Sequence, residues 1–121
     1  MTPCELLICA EDAMVNSYSP YSGFSVGAAL ITADGRVYKG CNIENSAFSP
    51  TICAERTAFF KAISEGENDF EAIAIVGKYK NGEYKHLCYP CGVCRQVMKE
   101  FCGGDFKIIL GDGKGEYEVH T

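Results

Sequence analysis

No stretch of this 121-residue chain is long and apolar enough to span a bilayer, and none reads as a secretory leader. The first apolar run, Leu6 to Ala10, is short and runs straight into Glu11 and Asp12. A basic cluster is lacking as well. The 11 Lys and Arg residues are scattered among 16 acidic ones, and the formal net charge is −5. Binding a polyanion requires concentrated cationic surface, so neither nucleic acid nor membrane is an expected partner. A small neutral or weakly charged ligand suits this surface better. Internal repeats, low-complexity tracts and linkers are missing too, which predicts a single domain over residues 1–121. With 47% hydrophobic and 22% charged residues, the chain is too apolar to stay disordered.

These features predict a cytoplasmic protein, and that reading bears on its eight cysteines, at positions 4, 9, 41, 53, 88, 91, 94 and 102. In a reducing compartment thiols serve as metal ligands or stay unpaired more often than they form disulfides. Cys4, Cys9 and Cys102 fall within helical patterns, where cysteine is expected to act as a small apolar core residue.

The N-terminus reads as a helix. Thr2 is its cap, Pro3 suits the first helical position and Glu5 completes a capping box. Ser17 to Gly23 reads as a loop. Phe24 to Thr32 and Arg36 to Cys41 form a predicted hairpin turning at Asp34-Gly35. Asn42 to Pro50 reads as irregular, and Ser49 or Thr51 is expected to cap a second helix that runs to about Glu65 and stops at Gly66. Its apolar face is Ala54, Ala58, Phe59, Ala62 and Ile63. Ala72 to Val76 reads as a short buried strand, and Lys78 to His86 as a polar connection with a turn at Asn81-Gly82. A third helix is expected from Pro90 to the Gly103-Gly104 pair, then strands at Phe106 to Leu110 and Tyr117 to Val119. The order α-β-β-α-β-α-β-β implies one mixed sheet with helices packed over it.

Chemistry concentrates in two motifs, Cys53-Ala54-Glu55 and Pro90-Cys91-x-x-Cys94. Three thiolates can hold zinc and leave its fourth position for water. Both motifs are expected in the first turns of helices, where helix dipoles and unpaired amides stabilise the negative charge on sulfur. Glu55 sits two residues from a ligand and can move protons for a bound water. Arg56 and Arg95 follow their cysteines closely, and either can donate to sulfur and so tune the metal.

Three other readings use the same cysteines. Cys88, Cys91 and Cys94 could close a four-thiolate structural site with Cys53 or Cys41, but Glu55 and Pro90 would then have no role. An iron–sulfur cluster would want a fourth cysteine three residues on, followed by proline. A redox dithiol has no use for the third thiol. His86 and His120 are expected in a loop and the tail, not as ligands.

The motifs Cys53-Ala54-Glu55-Arg56-Thr57-Ala58 and Pro90-Cys91-x-x-Cys94-Arg95-Gln96, with Pro20 to Ala29 and Gly40 to Asn45, are the landmarks of a likeness that runs over most of the chain. Together they resemble the small, homotetrameric, zinc-dependent type of cytidine deaminase. The resemblance implies a three-layer α-β-α sandwich on a mixed five-stranded sheet and one zinc ion per subunit on Cys53, Cys91 and Cys94. It implies hydrolytic deamination of cytidine and 2′-deoxycytidine in pyrimidine salvage, by zinc-bound hydroxide attack at C4 with Glu55 as proton shuttle. It further implies Phe24 packing on the pyrimidine, Asn42 and Glu44 on the ribose hydroxyls, the Ala54 amide on the base, and Asn45 to Phe48 bordering the site. Arg56 keeps its ligand-tuning role. Two departures stand out. Position 48 is Phe where the family often has Tyr, and the sequence given ends at Thr121, before the family's terminal aromatic-bearing segment. They keep open a deaminase of a modified cytosine nucleoside such as an antibiotic; a non-catalytic zinc-binding module, marked by a closed four-thiolate site, is a separate alternative.

Overall fold

The computed structural model describes residues 1–47, 52–79, 82–84, 92–113 and 116–121. The first helix, α1 (Pro3–Ala13), forms where its capping signals lie. The Thr2 hydroxyl accepts from the Glu5 amide at 3.2 Å, and the Glu5 carboxylate accepts from the Thr2 amide at 3.0 Å. Two otherwise orphaned donors are satisfied at once. Leu6, Ala10 and Ala13 form its buried stripe.

A five-stranded sheet follows, built from β1 (Phe24–Thr32), β2 (Val37–Cys41), β3 (Phe70–Tyr79), β4 (Lys107–Gly111) and β5 (Tyr117–His120). Its order is β2-β1-β3-β4-β5. The β3–β4 pair is parallel and the other three pairs are antiparallel, so the sheet is mixed. The β1–β2 turn runs through Gly35 at φ +92°, a left-handed conformation that glycine adopts without strain. β3 is longer than its apolar run predicts. Its core, Ala72 to Gly77, is buried on both faces, and its C-terminal end is extended by pairing of Ser25 with Lys78 and Phe24 with Tyr79. Strand length here is set by the neighbour and not by hydrophobicity alone.

The two sheet faces carry different partners. On one, α1 packs over Ala29, Ile31, Ala72, Ala74 and Ile109. On the other, α2 (Ala54–Ser64) and α3 (Gly92–Phe101) cover Ala28, Leu30, Ile73, Ile75 and Leu110, with Phe59 edge-on to Phe70. This is the expected three-layer α-β-α sandwich. Two expectations need correcting. Cys53 is the N-cap of α2, with extended backbone, so the helix starts later than capping by Ser49 or Thr51 would allow. Those two residues lie outside the described ones. Cys4 is exposed, because α1 presents Leu6 and Ala10 to the sheet instead, whereas Cys9 and Cys102, partly buried, pack against the cores as expected. No disulfide joins the described cysteines.

Glycine sets how closely the helices approach. A Cβ on Gly27 would lie 1.9 Å from the Ala10 carbonyl oxygen of α1, and one on Gly40 would lie 2.4 Å from the Ala54 carbonyl oxygen at the start of α2. Both contacts are with backbone, which cannot swing aside. Gly40 thus lets the first turn of α2 rest directly on β2. Gly40→Ala is expected to lower stability by roughly 1–3 kcal/mol through overpacking, seen as a lower urea midpoint at unchanged slope. An unchanged midpoint would show that α2 does not depend on this close approach.

Candidate active site

The chain reaches α2 by a short clasp. Ile43 and Ile52 pair antiparallel and exchange two backbone hydrogen bonds of 2.9 Å, which returns the chain to the end of β2 just before Cys53. The Thr57 hydroxyl lies 3.1 Å from both the Cys41 and the Cys53 carbonyl oxygens, tying the first turn of α2 to β2. Cys53 is therefore fixed at the N-cap, Glu55 follows inside the first turn, and Cys94 lies in the first turn of α3.

These three residues converge. The sulfurs of Cys53 and Cys94 and a carboxylate oxygen of Glu55 all lie within 4.8 Å of one another, with Cys94 and Glu55 buried. Two thiolates on one tetrahedral zinc stand roughly 3.8 Å apart, given Zn–S bonds of about 2.3 Å. The arrangement therefore fits the ion, and the soft sulfur donors suit zinc over calcium or magnesium. Two helix starts meet at the pair, so their unpaired amides and dipole ends favour thiolate. Cys91, the third expected ligand, lies outside the described residues, as do Cys88 and Pro90. Cys41 does not join the group: it is buried elsewhere, and burial pushes its thiol up. That removes one route to a closed four-thiolate site.

Glu55 is only 4% exposed. Burial pushes its carboxyl up to about 7, opposed by a hydrogen bond from Cys94. A carboxyl at that value can both accept and release a proton near neutrality. The Arg56 Nη2 donates to the Cys53 sulfur at 3.5 Å, and this hydrogen bond raises the guanidinium above its ordinary value despite burial. Its Nε is buried without a partner among the described residues. Arg95, the other candidate donor to sulfur, is exposed on α3.

The residues expected around a substrate occupy the end of β1 and the segment after β2. Asn42 is 8% exposed. Its Oδ1 accepts from the Val26 amide at 2.9 Å and from the Ser17 hydroxyl, and its Nδ2 donates to the Phe24 carbonyl at 2.9 Å. Glu44 Oε1 accepts from the Tyr21 and Ser22 amides, each at 3.0 Å, and Oε2 accepts from the Ser22 hydroxyl. Burial raises the Glu44 carboxyl, but those bonds outweigh it and hold it below the usual carboxylate range. Phe24 is half-buried and lies 4.9 Å from the Tyr79 ring, centroid to centroid. Asn45 is exposed and accepts from the Ala47 amide at 3.0 Å. Ala54 is the first residue of α2, where an amide has no partner within the helix. Phe48 lies outside the described residues. Sequence reasoning missed Ser17, Ser22, Thr57 and Tyr79. The one signal was the density of Ser beside Gly23, which marks side chains that bond local backbone.

The sequence profile of the cytidine and deoxycytidylate deaminase zinc-binding region matches residues 2–110. The chain belongs to that family, and zinc is the ion its sulfur cluster is built to hold. It is 49% identical over 117 residues to a cytidine deaminase of Sporosarcina psychrophila, covering 97% of this chain and 82% of that one. A cytidine deaminase of Halalkalibacterium halodurans is 50% identical over 112 residues, covering 93% and 81%. The crystal structure of cytidine deaminase from Burkholderia pseudomallei superposes with a TM-score of 0.90 at 42% identity, over 100% of this chain and 93% of that one.

Zinc content tests the cluster. Cys94→Ala is expected to lose stoichiometric zinc by elemental analysis, while Cys41→Ala retains it. Full zinc retention in Cys94→Ala would remove Cys94 from the ligand set.

Proposed function

We propose that this chain hydrolytically deaminates cytidine and 2′-deoxycytidine to uridine and 2′-deoxyuridine, releasing ammonia. The observation that carries this reading is the buried Glu55 carboxylate beside the Cys53 and Cys94 sulfurs, in a chain half identical to cytidine deaminases. In this reading Cys91 completes the ligand set, and Arg56 moderates the donor strength of Cys53. Zinc, when bound, acidifies a water and so supplies the nucleophile for C4 of the base. Glu55 does the proton work. It accepts a proton as the nucleophile forms, delivers it to N3 of the ring, and serves again as the amine departs. The C4–O bond forms, the C4–N bond breaks, and the nitrogen leaves protonated as ammonia. The low polarity around Glu55 keeps both of its protonation states accessible, which a solvated carboxylate cannot do.

Binding falls to the neighbouring residues. Phe24 packs on the pyrimidine face, and the Ala54 amide contacts the base. A carboxylate offers about four acceptor positions and an amide nitrogen two donors. The described bonds use three of these on Glu44 and one on the Asn42 nitrogen. One acceptor and one donor are thereby left to meet a sugar hydroxyl. Asn45 and Phe48 border the site.

The chain acts as one catalytic unit in a cytoplasmic homotetramer serving pyrimidine salvage. Exposed Tyr18, Tyr21, Ile43 and Phe60 support the assembly, because large apolar side chains on a small domain favour burial against other copies. Sedimentation at four times the chain mass is expected.

Turnover is tested by loss of cytidine absorbance on incubation with zinc-loaded protein. Glu55→Gln is expected to keep its zinc and lose roughly 10²–10⁴-fold in kcat. A zinc-loaded wild type that leaves cytidine unchanged would overturn the reading, and near-normal turnover by Glu55→Gln would remove the proton role.

A further inference from the structure

One exposed serine links the two halves of the substrate region. The Ser22 hydroxyl donates to Glu44 Oε2 and accepts from the Phe24 amide at 3.1 Å. The Phe24 carbonyl is a more distant contact, 3.5 Å away. The single hydroxyl proton therefore goes to the carboxylate, whose charge makes it the stronger acceptor. The lone pair left on oxygen takes the Phe24 N–H. The Ser22 amide also donates to Glu44, at 3.0 Å. Gly23, at φ +66°, makes the tight turn that brings the hydroxyl back over the Phe24 amide. From the other side, Asn42 holds the Phe24 carbonyl and the Val26 amide. The backbone of Phe24 is thus gripped at both its N–H and its C=O by side chains.

We propose that Ser22 is a positioning residue for this reaction, locking the Glu44 carboxylate and the Phe24 ring into one rigid unit so that sugar and base are registered together. This rests on the deaminase reading above, in which Glu44 and Phe24 face the sugar and the base. The hydroxyl itself touches no reacting atom. Its effect is on the geometry with which the nucleoside is received. Ser22 is exposed, so removing its oxygen opens no core cavity and leaves the fold and the sulfur cluster intact. What is lost is a hydrogen bond to an ionised group and the tether on Phe24. Such bonds carry enough energy for roughly a tenfold or larger rise in KM for cytidine. Proton transfer at Glu55 is untouched, so kcat is expected to stay within about threefold.

The test compares the zinc-loaded wild type with Ser22→Ala, Ser22→Gly and Ser22→Thr, reading KM and kcat for cytidine separately, with zinc content and thermal midpoint measured on each. The expected result is a raised KM in the Ala and Gly variants, recovery of most of the affinity in Ser22→Thr, and unchanged zinc. Combining Ser22→Ala with Phe24→Ala should cost less than the sum of the two, because the part of the effect carried by the Phe24 ring is already lost while the part carried by Glu44 remains. A KM within twofold of wild type in both deletions, or equal impairment in Ser22→Thr, would overturn the positioning role while leaving the deaminase reading standing. An inactive zinc-loaded wild type would overturn the deaminase reading and this proposal with it.

Discussion

Everything at the site depends on two helices beginning at the same point in space. α2 starts with a cysteine at its cap, and α3 carries another in its first turn. Each start brings amides that no carbonyl within its own helix satisfies, and the sulfur pair lies at these two starts. Bringing two thiolates together is electrostatically costly. Opposing them with the positive ends of two helices, and with the Arg56 guanidinium on Cys53, offsets that cost before any ion arrives. A cation completes the balance. The same closeness keeps Glu55 out of water and raises its carboxyl, so the buried carboxyl and the sulfur cluster arise from one packing event.

That packing event is made possible on the sheet. Gly40 removes the side chain that would hold α2 away from β2, and the Thr57 hydroxyl and the Ile43–Ile52 clasp fix the helix start in place. The end of β1 meets the end of β3 through Phe24 and Tyr79, which share a register pair and a ring contact. The sheet thus has a division of labour. The α1 face carries the smaller apolar core, and the α2–α3 face carries both the larger core and the sulfur cluster.

Much of this was legible in the sequence because local chemistry and global fold agree. Thr2, Pro3 and Glu5 announce α1, Gly35 the hairpin and Gly66 the end of α2, each by a mechanism confined to a few residues. The sulfur cluster was legible for a different reason: Cys53 and Glu55 share one helix start, and Cys94 opens another. What was not legible depends on partners distant in sequence. The start of α2 shifts to Cys53 because Ile52 is held by Ile43, and β3 reaches Tyr79 because β1 pairs with it that far. The bonding of Asn42 and Glu44 to the Ser17–Phe24 segment spans over twenty residues in several contacts, and no periodicity encodes it. For the same reason Cys4 was misjudged, since helical spacing alone does not say which face of α1 meets the sheet.

X-ray absorption at the zinc edge of the purified protein tests the central claim most directly. The account predicts three sulfur scatterers at about 2.3 Å and one lighter atom in the first shell. A shell of four sulfurs, or one dominated by nitrogen, would contradict a metal held at two converging helix starts with one position open to solvent.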